Sequence, residues 1–192
     1  MIIADYLDQV INDDPAITNE LLSLIAPTLI PDGLILEFGV ATGRSLREIN
    51  EKLGNNRAVF GFDSWKGLPE FWREGYDVGM FAGQMPTDMP DNVTLYEGWF
   101  ENTVLQFHWD YTEDIAFLHM DADLYSSTIY VLNTLNNQIV QGTYIMFDEL
   151  WYPDNYKDHE YKAIVEWVTN HDRAIEFVGR RHEESFCFRV VK

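Results

Sequence analysis

Apolar positions along the chain fall into short runs separated by stretches with helical spacing. The runs at 34–38, 58–62, 93–96, 115–119, 143–147, 174–178 and 185–191 predict strands. Between them, Ile129, Leu132, Leu135 and Ile139 share one face of a helix predicted over 127–138, and Tyr161, Ile164, Val165 and Val168 one face of a helix over 160–169. Two helical stretches within residues 1–30 come first, carrying Tyr6, Leu7, Val10 and Ile11 and then Leu21, Leu22 and Ile25, with the breaker-rich NDDPAIT between them. Strands alternating with amphipathic helices predict an α/β fold with helices on both faces of the sheet. The last two strands are joined only by GRRHEE, too short for a helical crossover, and should pair as an antiparallel hairpin.

One segment, 65–90, breaks this rhythm. It is rich in Gly, Pro, Met and aromatics, including Trp65, Phe71, Trp72, Tyr76 and Phe81, and has no clear period. A long loop of this kind is functional or disordered. So aromatic a segment reads as a lid over an active site, or as a structured insertion packed on the core.

Composition narrows the picture. A chain of 192 residues suits one domain, 1–192, and 46% hydrophobic with 15% aromatic residues excludes a disordered chain. No apolar run approaches the roughly 18 residues of a membrane span, and MIIADYLDQV lacks the basic start and apolar core of a signal peptide, so a cytoplasmic location is expected. Cys187, the single cysteine, sits in the alternating SFCFRVV and reads as strand packing. A net charge of −19 repels phosphate backbones and anionic membrane surfaces, so neither nucleic acid nor membrane is expected as a partner. Oligomeric state is not legible, a homo-oligomer being one option.

The stretch EFGVATG, Glu37 to Gly43, follows the first strand and hands the chain to a helix. Gly39 can adopt backbone angles closed to other residues and lets a ligand approach, and the helix opening near Gly43 offers free N–H groups. A dinucleotide site would use G-x-G-x-x-G. Here the middle glycine is missing and a carboxylate precedes the turn, which disfavours a nicotinamide-dependent oxidoreductase. A carboxylate repels phosphate and suits an ammonium group. The spacing E-x-G-x-x-x-G resembles motif I of class I S-adenosylmethionine-dependent methyltransferases, although a glycine turn with no ligand would look the same. Five parallel strands ending in an antiparallel hairpin also match the Rossmann-like, seven-stranded fold of that class, with sheet order 3-2-1-4-5-7-6 and the last strand antiparallel.

Ligands of open α/β sheets bind beyond the carboxyl ends of the strands. Asp63 ends the second strand roughly 20 residues after the glycine turn, where an acid can accept both hydroxyls of a ribose or cap a turn. After the third strand, Gly98 with Trp99 and Phe100 could receive an adenine, or be core. The expected cofactor-binding set is Glu37, Gly39, Ala41, Thr42, Gly43, Ser45, Asp63, Ser64, Gly98, Trp99, Phe100 and Asp121. The fourth strand runs into Asp121 and Asp123, which face the same side if the backbone stays extended, and the fifth runs into Asp148 and Glu149. In the expected order these strands are neighbours about 4.8 Å apart. Four carboxylates therefore meet on one rim, and a hard divalent cation held by carboxylate oxygens offsets their charge. His119 reads as strand core, and His159 and Lys162 as a solvated helix face.

The stretches LEFGVATGRSL, VFGFDSWKGLPE, HMDADLYSST and GTYIMFDEL together resemble the macrocin O-methyltransferase family, the magnesium-dependent sugar methyltransferases of macrolide and aminocoumarin biosynthesis. The resemblance runs from about Leu34 to Trp167. It implies that Asp121, Asp148 and Glu149 hold Mg2+ or another divalent cation, that Asp123 is the catalytic base, and that S-adenosylmethionine is the methyl donor. It implies O-methylation of a small-molecule hydroxyl, on a sugar or glycosylated metabolite; the alternative from another class is a noncatalytic S-adenosylmethionine-binding or partner-binding domain of the same fold. The chain departs from the family in carrying Asp148-Glu149 where two aspartates are common, and in its short N-terminal part.

Overall fold

The computed structural model describes residues 2–54, 57–152 and 155–192. Its order is α1 (Ile3–Asn12), α2 (Leu21–Ile25), β1 (Leu34–Phe38), α3 (Arg44–Leu53), β2 (Val59–Asp63), β3 (Val93–Glu97), α4 (Phe100–Asp110), β4 (Ile115–Met120), α5 (Tyr125–Thr134), β5 (Tyr144–Phe147), α6 (Glu160–Asn170), β6 (Ile175–Arg180) and β7 (Phe186–Val190). The seven strands form one sheet ordered β3-β2-β1-β4-β5-β7-β6. The first five strands run parallel, and β7 pairs antiparallel with both β5 and β6. This is the seven-stranded methyltransferase order expected from the sequence, hairpin included.

Strand parity sorts the core into two layers. Leu36, Phe38, Phe60, Phe62, Leu118, Met120, Ile145 and Phe147 pack with buried residues of α1, α4, α5 and α6, whereas Ile35, Val59, Phe117, Tyr144, Met146 and Cys187 pack with α2 and α3. Cys187 is enclosed, as its strand pattern implies, and burial pushes its thiol up. On the first face Phe38, Phe62 and Tyr96 stand in register across three strands and stack at centroid distances of 4.6 and 4.9 Å. Such cross-strand aromatic contacts add about 0.5–1.5 kcal/mol each beyond area burial.

Two expectations need correcting. The helix expected over 127–138 runs from Tyr125 to Thr134; the backbone then tightens into turns, with Leu135 O accepting from both Gln138 and Ile139 N–H, so Leu135 and Ile139 still reach the core. The segment 65–90 contains no helix or strand but divides in two. Trp65, Leu68 and Trp72 are buried, and Trp72 donates its indole N–H to Tyr152 Oη at 3.1 Å. Phe71 and Phe81 remain 57% and 50% exposed. The anchored part fits the insertion reading, and the exposed part lies beside the cavity described below. Among the described residues no helix is long and apolar enough to cross a membrane.

Gly39 is needed for a reason other than ligand approach. It has φ +93, and a Cβ there would fall 1.7 Å from the carbonyl oxygen of Asp121. The end of β1 thus lies directly against the end of its parallel neighbour β4, tied by Asp121 N–H donating to Phe38 O at 2.9 Å. Gly39→Ala combines a strained φ with a backbone clash, and a loss of more than about 2 kcal/mol in unfolding free energy is expected in urea titration.

Candidate active site

The carboxyl ends of β1, β2, β4 and β5 open on a cavity of about 690 Å³. Of the expected residues, Gly39, Ala41, Asp63, Ser64, Gly98, Trp99, Phe100, Asp121, Asp123, Asp148 and Glu149 line it. The 65–90 segment contributes Gly67 to Glu70 and Phe81, and α5 contributes Ser126 and Ser127. Ser126 Oγ donates to Glu70 Oε1 at 2.5 Å, joining the segment to the helix across the cavity.

Asp63 organises the glycine turn. Its Oδ2 accepts the N–H groups of Val40 (2.9 Å) and Ala41 (2.7 Å), and its Oδ1 accepts that of Trp65 (2.7 Å). Trp65 in turn donates its indole N–H to Ala41 O at 2.8 Å. Ala41 and Trp65 both sit at positive φ, +46 and +52, which the carboxylate's bonds hold in place. Of about four acceptor sites on a carboxylate, three are taken by the turn. The two readings of Asp63 are therefore compatible: it caps the turn and still faces the cavity.

Glu37, Thr42, Gly43 and Ser45 are not on the cavity wall. Thr42 is exposed, its carbonyl accepting from Arg47 Nη1 at 3.0 Å, and Gly43 caps α3 with a left-handed φ of +76. Met89 and Pro86, from the end of the long segment, pack against Gly43. Glu37 is fully enclosed under the turn, with Ser45 close to it. Direct contact between Glu37 and a ligand is thereby corrected: Glu37 points along its strand face to a neighbour on β4.

That neighbour is His119, which pairs with Glu37 in the β1–β4 register. Its Nδ1 lies 2.8 Å from Glu37 Oε1, and its Nε2 3.4 Å from Asp148 Oδ1. His182, from the β6–β7 turn, brings its Nε2 to 2.9 Å from the same Asp148 oxygen. Burial disfavours charge on His119, but Asp148 and Glu37 together outweigh it and raise the ring to about 10. Burial raises Glu37. Burial pushes Asp148 upward as well, yet the two histidines hold it below the usual carboxylate range.

The second acidic group behaves differently. Oxygens of Asp121, Asp123 and Glu149 lie within 4.8 Å of one another, and Asp121 is shared with a second group formed by His119 and Asp148. The expected trio of Asp121, Asp148 and Glu149 is thus divided between two overlapping groups. Asp123 does not continue the strand: Leu124 N–H donates to Ala122 O at 2.5 Å across it, and its φ is +59. The extended backbone expected over 121–123 is therefore broken at Asp123 by a tight turn over 122–124, and the carboxylates of Asp121 and Asp123 nevertheless fall in one group.

Burial and the charge of Asp148 raise Asp121 well above its ordinary value. Burial raises Asp123 to about 7, with Arg73 opposing. Burial and Asp121 raise Glu149. At an effective dielectric near 20, two like charges about 5 Å apart repel by about 3 kcal/mol. Three such pairs rival the whole stability of a domain, about 5–15 kcal/mol. The rim therefore calls for protons or a cation. Glu149 Oε2 is buried with no hydrogen-bond partner among the described residues, and an all-carboxylate donor set suits Mg2+ or Ca2+, so the residues present fit a divalent cation.

Sequence reasoning overlooked three contributors. Arg73 is held between the rings of Trp72, Tyr76 and Tyr152, at 3.9, 4.7 and 4.4 Å from their centroids, and its charge bears on Asp123. His182 comes from a turn with no motif. Glu160, buried at the start of α6, accepts the Glu149 N–H at 3.1 Å. His159 packs edge-on to Trp72 at 6.4 Å rather than lying on a solvated face, while Lys162 is exposed over Tyr125.

A family model described as macrocin-O-methyltransferase matches residues 87–168, which include both acidic groups but neither the glycine turn nor Asp63. No curated relative matches the chain. Among solved structures, the O-methyltransferase NovP superposes with a TM-score of 0.66 at 21% identity, covering 90% of this chain and 76% of NovP. CalS11, a calicheamicin methyltransferase, gives 0.64 at 22% identity, covering 97% of this chain and 90% of CalS11. An O-methyltransferase from Bacillus cereus in complex with SAH gives 0.58 at 19% identity, covering 98% of this chain and 90% of that one. The resemblance carried by the motifs thus stands: this chain is similar to the macrocin O-methyltransferases, by family match over residues 87–168 and by fold over nine-tenths of its length.

Proposed function

We propose that the chain is an S-adenosylmethionine-dependent O-methyltransferase, assisted by a divalent cation, that acts on a hydroxyl of a small molecule, a sugar or glycosylated metabolite. The observation that carries this reading is that Asp63 with its turn and the acids Asp121, Asp123 and Glu149 share the wall of one cavity. NovP is an O-methyltransferase, CalS11 is a TDP-rhamnose 3'-O-methyltransferase, and the Bacillus cereus protein is complexed with SAH. These neighbours support the choice of donor and acceptor class. The net charge of −19 supports a small acceptor over nucleic acid.

When bound, the donor supplies an activated methyl on sulfur, and a cation held by Asp121, Asp148 and Glu149 lowers the pKa of a hydroxyl oxygen beside it. The chain's own residues do the rest. Asp63 would use its remaining acceptor capacity for ribose hydroxyls, and Gly98, Trp99 and Phe100 would form the wall beside the adenine. Asp121 and the Gly39 turn would border the donor's aminoacyl end, with the enclosed Glu37–His119 pair beneath the turn. Asp123 accepts the proton of the attacking hydroxyl. Its enclosed position, with Arg73 opposing, keeps it near the value at which a carboxylate is an effective base at neutral pH. Phe81 and residues 67–70 border the mouth and exclude water from the reacting atoms.

Three outcomes check this reading. Asp123→Asn should keep SAH binding, measured calorimetrically, while turnover falls by at least about a hundredfold. Asp63→Asn, which loses charge and one acceptor oxygen, should weaken SAH binding by about tenfold or more. Excess EDTA should abolish turnover and Mg2+ restore it; full activity in chelator would remove the cation from the mechanism, and absence of SAH binding would remove the donor.

A further inference from the structure

Glu160 opens α6 and is completely enclosed. Its Oε2 accepts the backbone N–H of Glu149 at 3.1 Å, and its Oε1 meets no hydrogen-bond partner among the described residues. It enters none of the ion pairs formed among the described residues. Through Glu149 it adjoins the rim, and after burial the charges that bear on it most strongly are those of Asp123 and Asp121. Burial, with Asp123 and Asp121, pushes Glu160 well above its ordinary value, and holding it as a carboxylate there costs several kcal/mol unless a positive charge answers it. Glu149 beside it also has an oxygen with no partner.

Position explains what Glu160 can do. Glu149 lies beyond the end of β5, outside any regular element, so no ladder bond holds its backbone. Groups behind a metal's direct ligands orient those ligands and add to the field at the ion. We infer that Glu160 is a fifth carboxylate of the cation centre, a positioning residue that fixes Glu149 through its backbone N–H and tightens divalent-cation binding with its own charge. The inference rests on the reading that the rim holds a cation.

The test is a Mn2+ titration of the full chain, followed by electron paramagnetic resonance and calorimetry, on wild type and Glu160→Gln. Glutamine keeps an oxygen for the Glu149 N–H and nearly the same volume, and removes only the charge. Mn2+ affinity is expected to fall about ten- to hundredfold, and the rise in Tm on adding Mn2+ to shrink, with SAH affinity unchanged. Equal Mn2+ affinity in the two proteins overturns the role of Glu160 while leaving the cation reading intact. No Mn2+ binding by the wild type overturns the cation reading and this inference with it. If Glu160→Gln does not fold, Glu160→Asp keeps the charge but withdraws it from Glu149; its Mn2+ affinity should also fall, and an unchanged value overturns the inference.

Discussion

Mutual repulsion among carboxylates at the ends of β1, β4 and β5 is the constraint around which the rest of this molecule is arranged. Uncompensated, it would be comparable with the stability of the fold. Two remedies are built in. On the face that carries Glu37, the imidazole of His119 stands between Glu37 and Asp148, and His182 reaches Asp148 from outside. On the side of Asp123, Glu149 and Glu160, no imidazole or lysine pairs with these carboxylates among the described residues; Arg73 is the cation whose charge bears on Asp123, from behind an aromatic cage. On this second side Glu149 Oε2 and Glu160 Oε1 lack partners among the described residues, and with no imidazole between the acids a divalent cation has most to offset there; on the first side Glu37 Oε2 is likewise unpartnered, but its other oxygen meets His119.

The same rim explains why the backbone around it is unusual. Gly39 combines a positive φ with an Asp121 carbonyl that occupies the space a side chain would need. Asp123 takes a positive φ at the centre of the tight turn that Leu124 N–H closes onto Ala122 O, where the chain leaves β4 for α5. Ala41 and Trp65 do so under the hydrogen bonds of Asp63. These are strained positions gathered around one cavity, held by a core in which β1, β4 and β5 are entirely buried. The 65–90 segment is joined to this system at Trp65, Trp72 and Glu70, so its anchored part belongs to the site.

The strands were legible because their burial is written in local periodicity, and the hairpin because six residues cannot hold a crossover. The acidic pairs after β4 and β5 were legible because a strand's end is a place in the sequence. The end of α5 was misjudged because Leu135 and Ile139 keep helical spacing while the backbone tightens beneath them. Glu37 was read as touching ligand, since in a sequence an acid before a glycine turn and an acid beneath one look alike.

The sequence by itself determined the sheet, its order through resemblance, and the acids at the strand ends, because short-range periodicity and turn chemistry are local properties. Tertiary structure alone decided which charges meet. Glu37 and His119 are 82 positions apart, Asp148 and His182 34, and Asp123 draws its opposing cation from Arg73 in a segment without periodicity. Glu160 opens the helix expected over 160–169 without any local signal, and only tertiary packing made it a buried carboxylate that accepts the Glu149 N–H. Electrostatic partnership depends on distance through space and on exclusion of water, and neither quantity is carried by any local stretch of chain.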